Sequence, residues 1–198
     1  IAAGKPTNRV LGVDSVNDEV ALEYSQRSLD GLLCGVYTSQ GKMYFMANMF
    51  ERAVEAYGGC LNEIEPNYLD AVNARGSALI VLGRYKEAGR DFTQVIERDN
   101  RRIFVDAFTG IARILEVQED SVPGGWDPVV EKIQELIPVF EHQMEVQPQS
   151  KQAFAMSLSR LHHVLFTYHE AKTKMYPTAF NHLNVAHGYK LSTLPYWN

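Results

Sequence analysis

The chain of 198 residues is poor in cysteine, with two, and poor in tryptophan, with two. Cys34 and Cys60 are too few to build the disulfide framework of a small secreted domain or a four-thiolate metal site. They read as two free, buried, apolar thiols. No apolar run reaches the length of a membrane span, because Arg, Glu or Lys interrupts each candidate. No signal-peptide pattern is visible. Basic clusters are short: Arg98 with Arg101 and Arg102, and Lys172 with Lys174, are the densest. With a net charge of −5 the chain has no electrostatic footprint for nucleic acid, whose phosphates need clustered Lys and Arg.

Motifs of chemistry are also missing. There is no GxSxG elbow, no HExxH pair, and neither GxGxxG nor GxxxxGKS spacing for phosphate. His162, His163 and His169 lie on one helical stretch, but His162 and His169 are seven positions apart and cannot share a metal as an i, i+4 pair can. They read as polar-face histidines plus one that packs or caps. Ser157 and Ser159 near His162 have no oxyanion donors in view. The sequence therefore predicts no catalytic residues, no metal and no cofactor.

What is present is a repeat. Hydrophobic residues make up 45%, enough for a core. From Leu69 to Arg102, Gly76 is followed by Leu79, Gly83, Tyr85, Ala88, Phe92 and Val95. In the preceding stretch Gly41 is followed by Tyr44, Phe50, Ala53, Tyr57 and Cys60, and Pro66 closes the unit. Gly41 to Gly76 and Ala53 to Ala88 share one offset of 35 residues. Small residues at such positions let paired helices cross closely, with aromatics filling the space around them. Gly83 belongs at the turn between two helices, where a positive φ suits glycine.

This pattern resembles the tetratricopeptide family, whose unit is a helix–turn–helix of about 34 residues. The resemblance implies an all-α, superhelical solenoid of about four helix pairs, with units near 34–68, 69–102, 103–149 and 150–187. In that frame Gly76 faces Ala88 at the crossing, and Tyr85 and Phe92 fill the gap to the next unit. An extended arm over 1–16 precedes the repeat domain of 17–188, and a tail of 189–198 follows. Asn17 to Leu33 has helical spacing, and part of it merges with the first A helix. Gly58-Gly59 inside the first B helix, with one residue more than the family spacing before Pro66, predicts a bulge or kink. A Pro-Gly loop over 118–127 lengthens the third A–B connection, with Asp127 as N-cap of the next helix and Pro128 at its first position. Pro177 begins the last B helix. Tyr196 and Trp197 in the tail read as aromatics that dock on the chain itself or lead into a further domain.

The resemblance also places a groove along the A helices. Lys42 and Phe45 line it in unit one, with Thr38 and Met46 beside them. Asn73 and Ser77 line it in unit two, with Ile80 and Val81. Phe104, Phe108, Ile111 and Leu115 line it in unit three. Lys42 and Asn73 alone are too few to clamp a carboxylate tail. Apolar residues in unit three call for a cover, which is a partner's helix, the arm, or the insertion around Trp126, unless those residues are simply core. The expected function is a protein-binding scaffold or assembly subunit of a larger complex, holding a partner's helix or extended peptide. A second expectation comes from the C-terminal stretch with Ala179-Phe180-Asn181-His182, which resembles the last repeat of tetratricopeptide–sulfotransferase fusions. There the chain would be a non-catalytic region. Ile1 in place of Met predicts a processed chain, organellar processing being one route, or a piece of something longer.

Overall fold

The computed structural model describes residues 14–100 and 104–192. The arm up to Val13 and the tail aromatics Tyr196 and Trp197 lie outside the described residues. Among the described residues the fold is all-α, with eight α-helices and no strand. In order they are α1 (Asp14–Met46), α2 (Phe50–Glu63), α3 (Leu69–Val81), α4 (Tyr85–Arg98), α5 (Val105–Val117), α6 (Asp127–Val146), α7 (Lys151–Tyr168) and α8 (Tyr176–Ser192). Asp14 to Val16 are helical rather than part of an arm, and α8 continues four residues beyond Gly188, so both assumed boundaries shift outward.

Three of the helix hairpins turn on a single residue at positive φ, and two of them share one hydrogen-bond pattern. α3 ends with Gly83 at φ +71°, Gly83 N–H donating to Ile80 and Arg84 N–H to Leu79. This is the Schellman closure, which satisfies carbonyls left open at a helix end. α1 ends in the same way with Asn48 at φ +59°, Asn48 N–H donating to Phe45 and Met49 N–H to Tyr44. Asparagine tolerates the left-handed region better than most residues. Lys174 at φ +56° closes α7 after a π-helical turn over His169–Thr173, with Met175 N–H on the His169 carbonyl. Five residues past each of these turns stands a buried alanine: Ala53, Ala88 and Ala179. Turn and crossing are thus spaced alike in the three hairpins.

Aromatic rings fill the crossings. A Cβ added to Gly41 would lie 2.4 Å from the Tyr57 ring, and one added to Gly76 would lie 2.9 Å from the Phe92 ring. The atoms nearest that Gly76 position are those of the Phe92 ring. A Cβ on Gly110 of α5 would meet the same Phe92 ring at 2.6 Å. Phe92 is accordingly held between its own hairpin and the next. Tyr85 is half-buried against the core. Gly58 and Gly59 cause no bulge: α2 is α-helical throughout. The extra residue is taken up after its end, where Ile64 and Glu65 both donate to Cys60.

α1 pairs with α2, α3 with α4, and α7 with α8, while α2 with α3, α4 with α5, and α6 with α7 join neighbours in series. The A helices also touch one another: α1 with α3, α3 with α5, and α5 with α7. The third hairpin is the exception. α5 and α6 do not pair along their lengths, and α5 instead takes α7 as its neighbour. The insertion explains this. A 3₁₀ turn over Glu119–Ser121 lies on α4, its Ser121 carbonyl filling the space that a side chain at Gly89 would need. Gly124 and Gly125, both at positive φ, then turn the chain into α6. Trp126 is already helical in conformation and serves as the N-cap, one residue ahead of the expected Asp127. It is buried, with its ring 5.6 Å from that of Tyr168. Val122, Trp126, Val129, Ile133 and Leu136 fill the wedge and join one core that runs from Cys34 to Leu165.

Candidate binding surface

The A-helix face is assembled from α1, α3, α5 and α7. On α1, Thr38 is buried and its hydroxyl donates to the Cys34 carbonyl. Lys42 and Met46 are exposed. Phe45 is half-buried, edge-on to Phe50 at 5.2 Å, and packs with Ala53, Tyr57 and Ala78 in a small satellite core. On α3, Asn73 and Ser77 are half-buried, and the Ser77 hydroxyl donates to the Asn73 carbonyl at 3.1 Å. The Asn73 side-chain oxygen is buried with no hydrogen-bond partner. Ile80 is half-buried and Val81 exposed.

In unit three the expected groove residues face the other way. Phe108, Ile111 and Leu115 are at most 5% exposed and belong to the core, and Phe104 is half-buried against it. The physical reason is the insertion. Set off by the insertion, α6 brings Leu136 and Lys132 beside Phe104 and Phe108 and Val129 beside Ile111, while α7 packs along α5. The side of α5 left to solvent carries Asp106, Thr109, Arg113 and Glu116 instead.

An open groove of about 490 Å³ lies where α5, α7 and α8 meet. Met156, Leu183 and Ala186 form its apolar part, with Arg160, His163 and Lys190 on its rim. Arg160 is anchored by Asp106 of α5 at 2.6 Å, and Ser159 Oγ donates to the Ala186 carbonyl at 2.8 Å. Sequence reasoning passed over this groove. Its signal was the pair Arg160 and His163, one helical turn apart, facing His187 and Lys190 at the same spacing on the next helix.

The same helix pair, α7 and α8, with the turn between them holds a histidine cluster. His162 and His182 approach with Nδ1 atoms 3.0 Å apart, and the His182 ring stacks on His169 at 5.3 Å. His162 is buried, and its Nε2 has no partner. A buried N–H left unpaired costs more than a bare ring nitrogen, so the proton belongs on His162 Nδ1, donated to His182. Burial lowers His162, with Glu141 pulling the other way. Burial, then the charges of His162 and His169, lowers His182 from 6.5 to about 4. Burial lowers His169 too, whose Nδ1 lies 3.1 Å from Thr173 Oγ1. The Tyr189 hydroxyl donates to Glu141 at 2.9 Å, and burial with that bond lifts its phenol to about 12. Of the three histidines on this stretch His163 is exposed, His169 is half-buried and His162 is the one that packs. Among the described residues no three His, Cys, Asp or Glu side chains gather as metal ligands.

Two further polar features brace the stack. Arg75 of α3 makes a two-pronged ion pair with Asp91 of α4, at 2.8 and 2.7 Å. Burial pushes the Asp91 carboxyl up against the pull of Arg75, while the bond to Asp91 raises Arg75. Cys34 and Cys60, expected as free thiols, are joined in a disulfide between α1 and α2. Both are fully buried, as packing residues should be, but the hairpin brings them face to face.

Among the described residues no helix is long and apolar enough to cross a membrane. No protein-family model matches the chain, and no curated protein matches it in sequence.

Proposed function

We propose that this chain is a tetratricopeptide-type repeat scaffold that binds a segment of another protein on its A-helix face, within a larger complex. One observation carries the reading: successive A helices lie side by side, and an open groove where α5, α7 and α8 meet holds Met156, Leu183 and Ala186 beside Arg160 and Lys190. The chain as a whole is acidic, with a net charge of −5. A groove rimmed by Arg160, His163 and Lys190 fits an amphipathic partner helix whose polar edge is acidic, its apolar residues resting on Met156 and Leu183. Lys42, Phe45, Asn73 and Ser77 on α1 and α3 are the further contacts this reading assigns to the partner. Phe108, Ile111 and Leu115 serve the scaffold from within.

The test is site-specific photo-cross-linking in the native extract. A photoreactive residue in place of Met156 or Ser77 should label a single partner segment, and one at Glu51 on α2 should not. Equal labelling from both faces, or none from Met156, contradicts the reading. Arg160→Glu should reduce the labelling from Met156 while leaving the helical circular-dichroism signal unchanged.

A further inference from the structure

The face of α1 turned away from the rest of the molecule repeats at a second interval. Leu22, Leu29, Val36 and Met43 recur every seven residues, and Leu32 and Met46 follow three residues after two of them. These six side chains are between 50% and 83% exposed. Ser25 and Ser39, also exposed, complete the second set of positions. A heptad with both sets on one seam is the pattern that pairs two helices along their length. The opposite side of α1, with Cys34, Thr38 and Gly41, is the side buried against α2. From Leu22 to Leu29 the described side chains are all exposed, so this part of the helix projects beyond its hairpin.

We infer that α1 pairs with α1 of a second copy of this chain, antiparallel, across a twofold axis level with Cys34. Side-chain size selects that arrangement. Antiparallel, Leu22 stands opposite Met46 of the second copy, Ser25 opposite Met43, Leu29 opposite Ser39, and Leu32 opposite Val36. Each serine then meets a large residue. A parallel pair would set Ser25 on Ser25 and Ser39 on Ser39, leaving two holes in the seam.

Charge agrees with size. No seam position from Leu22 to Met46 is charged, and the flanking positions Gln26, Ser28, Leu33, Gly35 and Gln40 are uncharged. The face can therefore meet itself without repulsion, although each chain carries −5. Lys42 is the single charged flanking residue. Antiparallel pairing holds the two copies of Lys42 about 24 Å apart along the axis, whereas parallel pairing would set them level. It also opposes the two helix dipoles. The seam is about 37 Å long and about 10 Å wide, on the order of 400 Å² per copy. That is the size of patch that is often functional on a single chain, and it is small for a permanent dimer, so the pair is reversible.

The test is light scattering coupled to size exclusion over a concentration series. The 198-residue chain should pass from 22.4 kDa to about twice that mass as concentration rises. Leu32→Glu with Val36→Glu should stay at 22.4 kDa at every concentration with unchanged helicity. A wild-type chain that remains monomeric overturns the inference, whether α1 is bare or covered by the chain's own residues. So does a dimer that survives both substitutions. Orientation is read separately by cysteine cross-linking. Leu29→Cys mixed with Ser39→Cys should give a mixed disulfide, while Leu29→Cys alone should not; the reverse result overturns the antiparallel pairing.

Discussion

The ring of Phe92 on α4 occupies the space where a side chain on Gly110 of α5 would be, 2.6 Å from the position its Cβ would take. The same ring closes on Gly76 in its own hairpin. One aromatic side chain thus sets the spacing both within a hairpin and between two hairpins. Phe92→Ala should therefore cost about 3–5 kcal/mol, as for a buried aromatic replaced by alanine. Chemical denaturation read by circular dichroism checks it, and a loss below about 1 kcal/mol would mean the ring is not packed this way.

Glycine to alanine should have opposite signs at two sites on helices. Gly110→Ala places a methyl in the Phe92 ring and should destabilise by about 1–3 kcal/mol through overpacking. A Cβ on Gly31 of α1 meets nothing within 4 Å. Gly31→Ala should stabilise by up to about 1 kcal/mol, through helix propensity alone. Thermal melts of the two variants measure the contrast directly.

Acid should loosen the last hairpin. The folded state holds His182 at about 4, below its ordinary 6.5. Between those values the unfolded chain binds more protons, so stability is full above about pH 6.5 and is lost as pH falls toward about 4. A proton on His182 Nδ1 also sets two N–H groups against each other across 3.0 Å. Tm measured from pH 7 to 4 should drop. His182→Asn should flatten the part of the profile that His182 controls, leaving the contributions of His162 and His169.

Asp91→Ala removes one half of a largely buried ion pair and leaves Arg75 uncompensated. Breaking such a pair costs about 3 kcal/mol or more. The double variant Asp91→Ala with Arg75→Met should recover part of this, because the uncompensated charge is gone. Urea titrations of both variants decide the matter.

Reduction should weaken the first hairpin. The disulfide closes a loop with a sequence separation of 26 residues, and losing it should cost about 3 kcal/mol. Alkylation of the denatured, unreduced chain should add no label, while prior reduction should add two. Labelling without reduction would restore the free-thiol reading.

Helicity and the small-residue rhythm were legible because they are local. Gly76, Gly83 and Ala88 each report a steric demand of the nearby backbone. Asn48 fills the role of Gly83 in the first hairpin and was overlooked, because asparagine reaches the left-handed region without announcing it as glycine does. The disulfide was missed because pairing Cys34 with Cys60 depends on how α1 lies on α2, which neither residue's neighbours reveal. Phe108, Ile111 and Leu115 could be read as groove or as core, because their apolar stripe is the same whether a partner or the chain's own helices cover it. Which of these covers it depends on the insertion over 118–127, whose buried Trp126 and Ser121 obey no repeat.

The register of the whole stack rests on one ring touching two glycines from different hairpins, and proton NMR reads that contact without perturbing it. Nuclear Overhauser effects should run from the Phe92 ring protons to the Hα protons of both Gly76 and Gly110. Effects to Gly76 alone would separate α4 from α5, and effects to neither would contradict the arrangement of helices described above.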